Sequence, residues 1–484
     1  MITLNKVVLA LLASTALLGI ANAQKWTPLK HQPNFQPGSM ALLTDGTVLI
    51  HEEQDSNPQK WFKLTPDKTG SYINGTITPI ASTSSSYGPL FFGSVVLPDG
   101  RYIIEGGEYN NGNAAWTNMG AIYDPIKNKW TPVNPPSGWA NIGDAQAAIV
   151  LGGTYTQVNA LNTQQAYFNA KNLTWTNLIN TGKSDRFDEE GWTLLPDGTL
   201  LTTDALNAPH YEIFNPKTKK WSSPGTVPVR LEDPNSQEIG PMVLRPDGTV
   251  FATGGAPAGQ PGHTAIYNTK TKTWKAGPDF PKVNGVALAC DDAPAALEIN
   301  GNVLVMTSPP VFNTGAVFFE WNGAKLTKIP GPPQGPNDAA FYGHFVELPT
   351  GQLLFTDYSM DIEVFTPKGT FNKAWAPTIT SVPTTLTHGQ SYTVKGTQFN
   401  GMSEGSAYGD DYQSATNYPL VRITNNATKH VFYARTTGYT LGVATGQKPV
   451  SAKFSVPRTI ETGASTLVVV TNGIPSASKA VTIN

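Results

Sequence analysis

The chain is 484 residues long, a length that suggests about three ordinary domains, or one large repetitive unit with a partner. Only 14% of residues are charged, Gly 46 and Pro 39 punctuate the whole length without reaching the content of a disordered chain, and 11 Trp, 17 Tyr and 20 Phe can furnish a large core. Lys+Arg 33 against Asp+Glu 35 gives a net charge of −2 with no basic run, which argues against nucleic acid as a partner, and the single cysteine, Cys290, excludes an intramolecular disulfide.

In chain order the first expected element is a leader. Met1 to Lys6 is a short basic start, Val7 to Ile20 is apolar, and Ala21-Asn22-Ala23 has the small-residue pattern of a cleavage site. Residues 1–23 therefore read as a signal peptide, and the mature chain is expected to be secreted: extracellular, or periplasmic if the source is a Gram-negative bacterium. No later stretch reaches the roughly 18 apolar residues of a membrane span, so no span is expected in the mature chain, and a monomer is the expected state.

After the leader, one pattern recurs. Met40-Ala-Leu-Leu-Thr-Asp-Gly46, Ser94-Val-Val-Leu-Pro-Asp-Gly100, Trp192-Thr-Leu-Leu-Pro-Asp-Gly198, Met242-Val-Leu-Arg-Pro-Asp-Gly248, Ala295-Ala-Leu-Glu-Ile-Asn-Gly301 and Phe345-Val-Glu-Leu-Pro-Thr-Gly351 are apolar runs ending in a glycine turn. A weaker copy ends at Gly152, and successive glycines lie 54, 52, 46, 50, 53 and 50 residues apart. The turn chemistry suits hairpins with two-residue connections. An aromatic strand, a turn and usually a Trp follow each hairpin, as in Tyr123-Asp-Pro to Trp130 and Phe214-Asn-Pro to Trp221. Four strands per unit of about 50 residues is the period of a kelch-type blade. The expectation is an all-β chain with a seven-bladed kelch-type β-propeller over 24–373, closed by the segment around Trp26 pairing with the last blade. After Pro377 the period stops. Short strands such as Ser391-Tyr-Thr-Val-Lys and Thr466-Leu-Val-Val-Val then predict an immunoglobulin-like β-sandwich over 374–484.

Particular segments of this last part carry a resemblance: Tyr408-Gly-Asp-Asp, Asn417-Tyr-Pro-Leu-Val-Arg422, Phe454-Ser-Val-Pro457 and Thr471-Asn-Gly-Ile-Pro475. With the propeller pattern before them, the chain resembles the galactose oxidase and glyoxal oxidase family of copper-radical enzymes over nearly its whole mature length. The C-terminal domain can buttress the propeller or place a loop in its pore, and the resemblance implies the latter. The resemblance also implies a copper site built from a Tyr–Cys cross-link, a second tyrosine and two histidines. Here the cysteine position is Gln36 in Phe35-Gln36-Pro37-Gly38, and the cross-linked tyrosine position is Phe91. Gln36 has no sulfur and Phe91 no phenol oxygen, so the radical cofactor cannot form there, and Cys290 reads as a small buried residue of another blade. Tyr342 and His344, separated by Gly343, and His430 match the remaining ligands. They can offer a phenolate and two imidazoles to copper or zinc, or be an aromatic cluster near the pore.

Residues just before each inner strand gather at one propeller mouth. They are Gln36, Asp144, Asp188-Glu189-Glu190, Glu238, Asp291-Asp292 and His344, with Phe91 and Trp192 adding rings. Carboxylates among aromatic rings suit a carbohydrate, equally suit a divalent cation with oxygen ligands, and also occur as solvated caps of turns. Two functional readings follow. In the first, an exported protein without an intact Tyr–Cys copper site binds carbohydrate or another cell-surface ligand through Gln36, Phe91, Asp144, Glu190, Trp192, Glu238, Asp291 and Asp292. In the second, an atypical copper-dependent oxidase of alcohols or aldehydes uses Tyr342, His344 and His430.

Overall fold

The computed structural model describes residues 24–53, 58–410 and 414–484. The expected leader over 1–23 and Asp411, the last residue of the Tyr-Gly-Asp-Asp segment, lie outside the described residues. The chain is all-β, with three single-turn 3₁₀ segments as its helical elements among the described residues.

Among the described residues, the 50-residue repeat folds into seven antiparallel four-strand units, each made of strands consecutive in sequence except the second, which is interrupted by Tyr109–Asn110 and Asn113–Ala114, and the last. The first consists of Pro37–Leu42, Val48–Glu52, Trp61–Thr65 and Thr76–Pro79. The last combines His344–Glu347, Leu353–Thr356 and Glu363–Thr366 with Lys25–Pro28 as its outermost strand, in the register Lys25↔Thr366 to Pro28↔Glu363. Trp26 anchors that pairing, its ring 4.9–5.4 Å from those of Phe318, Phe355 and Phe365. The first strand of the first unit, Pro37–Leu42, lies against both Gly93–Val96 of the second unit and His344–Glu347 of the last. The arrangement is propeller-like.

The repeated glycine turns form hairpins, but with a longer connection than the two-residue turn expected. In the first, the Leu43 amide donates to the Thr47 carbonyl at 2.7 Å and the Gly46 amide to the Leu43 carbonyl at 2.9 Å. Thr44 and Asp45 make an ordinary turn and Gly46 follows with φ +80°, so the loop has three residues. The same left-handed glycine, φ +78° to +88°, closes the hairpins at Gly100, Gly198, Gly248, Gly301 and Gly351. The aspartate contributes a bond rather than a special φ: Asp45 Oδ1 accepts from the Thr47 amide at 3.0 Å.

The C-terminal strands form one nine-stranded sheet, eight of them on a path from Thr378–Ser381 through Ser391–Thr397, Pro449–Ser455, Val431–Thr437, Leu420–Asn425, Gly463–Thr471 and Lys479–Ile483 to Thr385–Leu386, and the ninth, Ile474–Pro475, paired off it. Val431–Thr437 changes partner midway: Val431 to Ala434 pair with Leu420–Asn425, and Arg435 to Thr437 with Pro449–Ser455. Apolar residues from both halves, among them Val394, Phe454, Ile423 and Val469, are fully buried in a common core.

This part sits on the hairpin-turn end of the four-strand units. Tyr439 Oη donates to the Leu97 carbonyl at 3.2 Å, the Gly438 amide to Pro98 at 2.7 Å, and the Val431 amide to Lys68 at 2.8 Å. One segment goes further. Ser406–Ala407 adds a fifth strand beside Ala295–Leu297, the innermost strand of the sixth unit, and the chain continues past Tyr408 to Asp410 at the opposite end of the inner strands.

Candidate functional site

At that opposite end lies a cavity of about 230 Å³ lined by Phe91, Glu108, Tyr109, Asp144, Glu189, Glu238, Asp292, Phe312, Phe341 and Asp410. Its composition follows from topology. Phe91, Asp144, Glu189, Glu238, Asp292 and Phe341 each stand one to four residues before an innermost strand, so six units deliver the same position to one place. Glu108, Tyr109 and Phe312 come from loops between second and third strands, which antiparallel pairing returns to the same end. Tyr109 lies in the small sheet of Pro89–Leu90, Tyr109–Asn110 and Asn113–Ala114, and Glu108 directly precedes its strand. Asp410 is carried in by the segment beside Ala295–Leu297.

Phe91, Glu189, Asp292 and Phe312 have positive φ of 53°, 61°, 49° and 62°. A side chain in this region costs roughly 1–2 kcal/mol, so the surrounding packing holds four cavity residues in a conformation they would not adopt alone.

Crowded, dehydrated carboxyls cannot all ionise at their ordinary pKa. Burial, with Asp410 and Asp188 alongside, pushes Glu108 up to about 7. Asp188 rises to about 6 through burial, restrained by Arg186, which pairs with it at 2.6 Å. Burial and the neighbouring carboxylates hold Asp144, Glu189 and Asp292 well above the usual range. Glu238 is raised too, by burial and by Asp292 and Glu189, with both of which it shares hydrogen bonds. Burial and mutual repulsion thus favour the protonated form of these carboxyls over that of free ones.

Of the mouth residues nominated from sequence, Phe91, Asp144, Glu189, Glu238 and Asp292 line this cavity, and Gln36, Asp188, Glu190, Trp192 and Asp291 do not. Gln36 is half-buried at the start of the first unit, where its carbonyl accepts from the Glu53 amide at 3.2 Å. Glu190 is fully buried and bonded to Lys183 Nζ at 2.8 Å. Trp192 is packed between Phe187 and Trp221, with ring centroids at 6.0 and 5.6 Å. Asp291 Oδ1 and Oδ2 accept from the amides of Ala256 and Val311 at 3.1 and 3.3 Å, so it ties loops together. Glu108, Tyr109, Phe312, Phe341 and Asp410 were not nominated. The loop between second and third strands was the available signal for Glu108, Tyr109 and Phe312, because it must end at the same mouth.

Tyr342 and His344 join an aromatic cluster. The His344 ring stacks on Tyr408 at 5.3 Å and lies 5.6 Å from Tyr358; Tyr342 lies 5.5 Å from Tyr358. His344 Nδ1 is 3.1 Å from the Tyr342 carbonyl, and burial holds the imidazole below its usual range against the pull of Glu53. His430 sits in a C-terminal hairpin loop, its Nδ1 2.6 Å from Glu461 Oε1. Among the described residues, no group of three or more close His, Cys, Asp or Glu ligand atoms includes His344 or His430. Cys290 is buried, its Sγ 3.6 Å from the Met306 carbonyl.

The fold and this site define an all-β, propeller-like protein with an acidic, aromatic mouth. No family model and no curated protein matches the chain. Among solved structures, it is similar to a fungal alcohol oxidase of the AA5 family in complex with copper, a galactose-oxidase-like neighbour, over 96% of this chain and 100% of that one, at 14% identity and TM-score 0.55. It is also similar to virginiamycin B lyase from Staphylococcus aureus over 71% of this chain and 99% of that one, at 11% identity and TM-score 0.48. At 14% identity the first likeness is one of fold.

Proposed function

We propose that the chain is an exported, monomeric, seven-bladed kelch-type propeller over 24–373 with an immunoglobulin-like domain over 374–484, and that its mouth binds carbohydrate, free or on a cell surface. The cavity carries this reading. Sugars present hydroxyls that donate to carboxylates and C–H faces that pack on rings, and about 230 Å³ lined by six carboxyl residues and by Phe91, Tyr109, Phe312 and Phe341 offers both.

Radical-copper oxidation has less support. Gln36 brings no thiolate and Phe91 no phenolate, Tyr342 and His344 are engaged with Tyr358 and Tyr408, and His430 with Glu461. The donor set does not fit the cross-linked copper centre that the resemblance implies, and no step is derived through it.

A glycan array probed with the mature protein and with a Phe91→Ala/Phe341→Ala variant tests the proposal. The wild type is expected to retain a related set of glycans that the variant loses by about tenfold or more, since each stacked ring contributes about 1 kcal/mol or more. A wild type that retains none, or a folded variant that retains all, contradicts it.

A further inference from the structure

Glu189 is shared by two carboxylate groups. One oxygen of each of Asp144, Asp188 and Glu189 lies within 4.8 Å of the others, and so does one oxygen of each of Glu189, Asp292 and Asp410. Elsewhere the same fold shows what such crowding requires. Asp185, Glu190, Asp204 and Glu212 form a third group, and the fully buried ammonium of Lys183 sits among them, 2.8 Å from Glu190 and 2.6 Å from Glu212. At the mouth the cation beside the carboxylates is Arg186, more than one-third exposed and paired with Asp188.

A second observation points inward. Asp144 lines the cavity with only 6% of its surface exposed, and its Oδ1 has no hydrogen-bond partner; Oδ1 of Asp188 and Oδ1 of Asp292 are buried without one as well. Buried carboxylate oxygens without donors are costly unless the group keeps its proton or a cation completes it. The donors are all carboxylate oxygens, with no histidine or thiol, and they come from loops. That set suits a hard, large cation with adaptable coordination.

We infer that the floor of the mouth is a calcium-class divalent cation site, with Glu189 the ligand common to its two halves. A cation there neutralises the cluster and leaves its outer coordination positions open to ligand oxygens. The site lies in the proposed glycan cavity but needs no glycan. Cation binding is measured on the protein alone, so failure of either reading is seen separately.

The test uses the mature protein stripped with chelator, then titrated calorimetrically with calcium chloride and melted with and without it. Wild type is expected to bind at least one calcium ion per chain and to melt about 2 °C or more higher when saturated. Glu189→Gln, and separately Asp144→Asn/Asp292→Asn, should weaken binding by about tenfold or more while melting in chelator no lower than wild type, because each removes like-charge repulsion. That chelator melt shows that the variants fold. No heat and no shift in melting for wild type up to about 5 mM calcium, magnesium or manganese would overturn the inference. Unchanged affinity in both folded variants would overturn it equally.

Discussion

Glu189 and Glu190 are adjacent, yet one lines the mouth and the other pairs with Lys183 at 2.8 Å. The sequence nominated the run Asp188-Glu189-Glu190 as a whole. Which member faces where was not legible, because Glu189 takes a left-handed conformation (φ 61°) and the strict alternation of a strand does not apply. Lys183 carries no signal in the sequence, since a lysine in a polar loop reads as solvated. In the fold it is fully buried; burial alone would lower its pKa, and the carboxylates of Glu190, Glu212 and Asp185 reverse that and hold it charged. Lys183→Met keeps much of the stem but strands those carboxylates. Urea unfolding is expected to show a loss of about 3–5 kcal/mol, partly recovered when Glu190 and Glu212 are changed to Gln as well. A loss within about 0.5 kcal/mol would mean that the cluster is stabilised by other means.

At the scale of elements, the six strong glycine turns and their spacing announced the four-strand units. The three-residue loop differed from the expected two-residue one because Asp45 and its counterparts work as acceptors, leaving the left-handed position to glycine alone. The axial segment around Ser406–Ala407 was expected only through the family resemblance. Nothing in the alternation of a two-residue strand shows which sheet it joins. Two glycines make its passage possible: a Cβ on Gly191 would lie 2.2 Å from the Gly409 carbonyl, and one on Gly409 would lie 2.4 Å from Asp292 Oδ1. Neither neighbour can withdraw without moving backbone or a cavity carboxylate. Gly191→Ala should therefore push residues 408–410 off the axis, cost about 1–3 kcal/mol in urea unfolding, and weaken calcium binding by displacing Asp410. Wild-type affinity in that variant would show that the segment has no part in the site.

Across the whole molecule, the C-terminal part is joined to the propeller-like part through buried carboxyls. Glu347 accepts from Asn472 Nδ2 at 2.9 Å and Thr416 Oγ1 at 3.0 Å, and Glu404 accepts from the Leu194 amide at 2.8 Å. Burial outweighs these bonds and pushes both groups up to about 7. Between the ordinary value of 4.5 and about 7 the folded state holds protons that the unfolded state has released, so each group makes the fold less stable as pH rises through that window. Unfolding free energy should fall from about pH 5 to about pH 7.5, and Glu347→Gln should flatten the slope by up to about 1.4 kcal/mol per pH unit, read by urea unfolding across that range. An identical slope in the variant would place the sensitivity elsewhere. This junction was beyond the sequence, because Glu347 lies in a repeat and Asn472 125 residues away in a separate pattern. The repeats, the N-terminal strand on the last sheet and half of the nominated mouth residues were legible, since each follows from local turn chemistry multiplied by the period. The most direct measurement is a crystal structure of the protein with the oligosaccharide that the glycan array selects. The sugar is expected in the cavity, with a ring face on Phe91 or Phe341 and hydroxyls directed at the floor around Glu189. A sugar seated elsewhere, such as the groove between Pro196 and Lys270, with the mouth empty, would contradict the account.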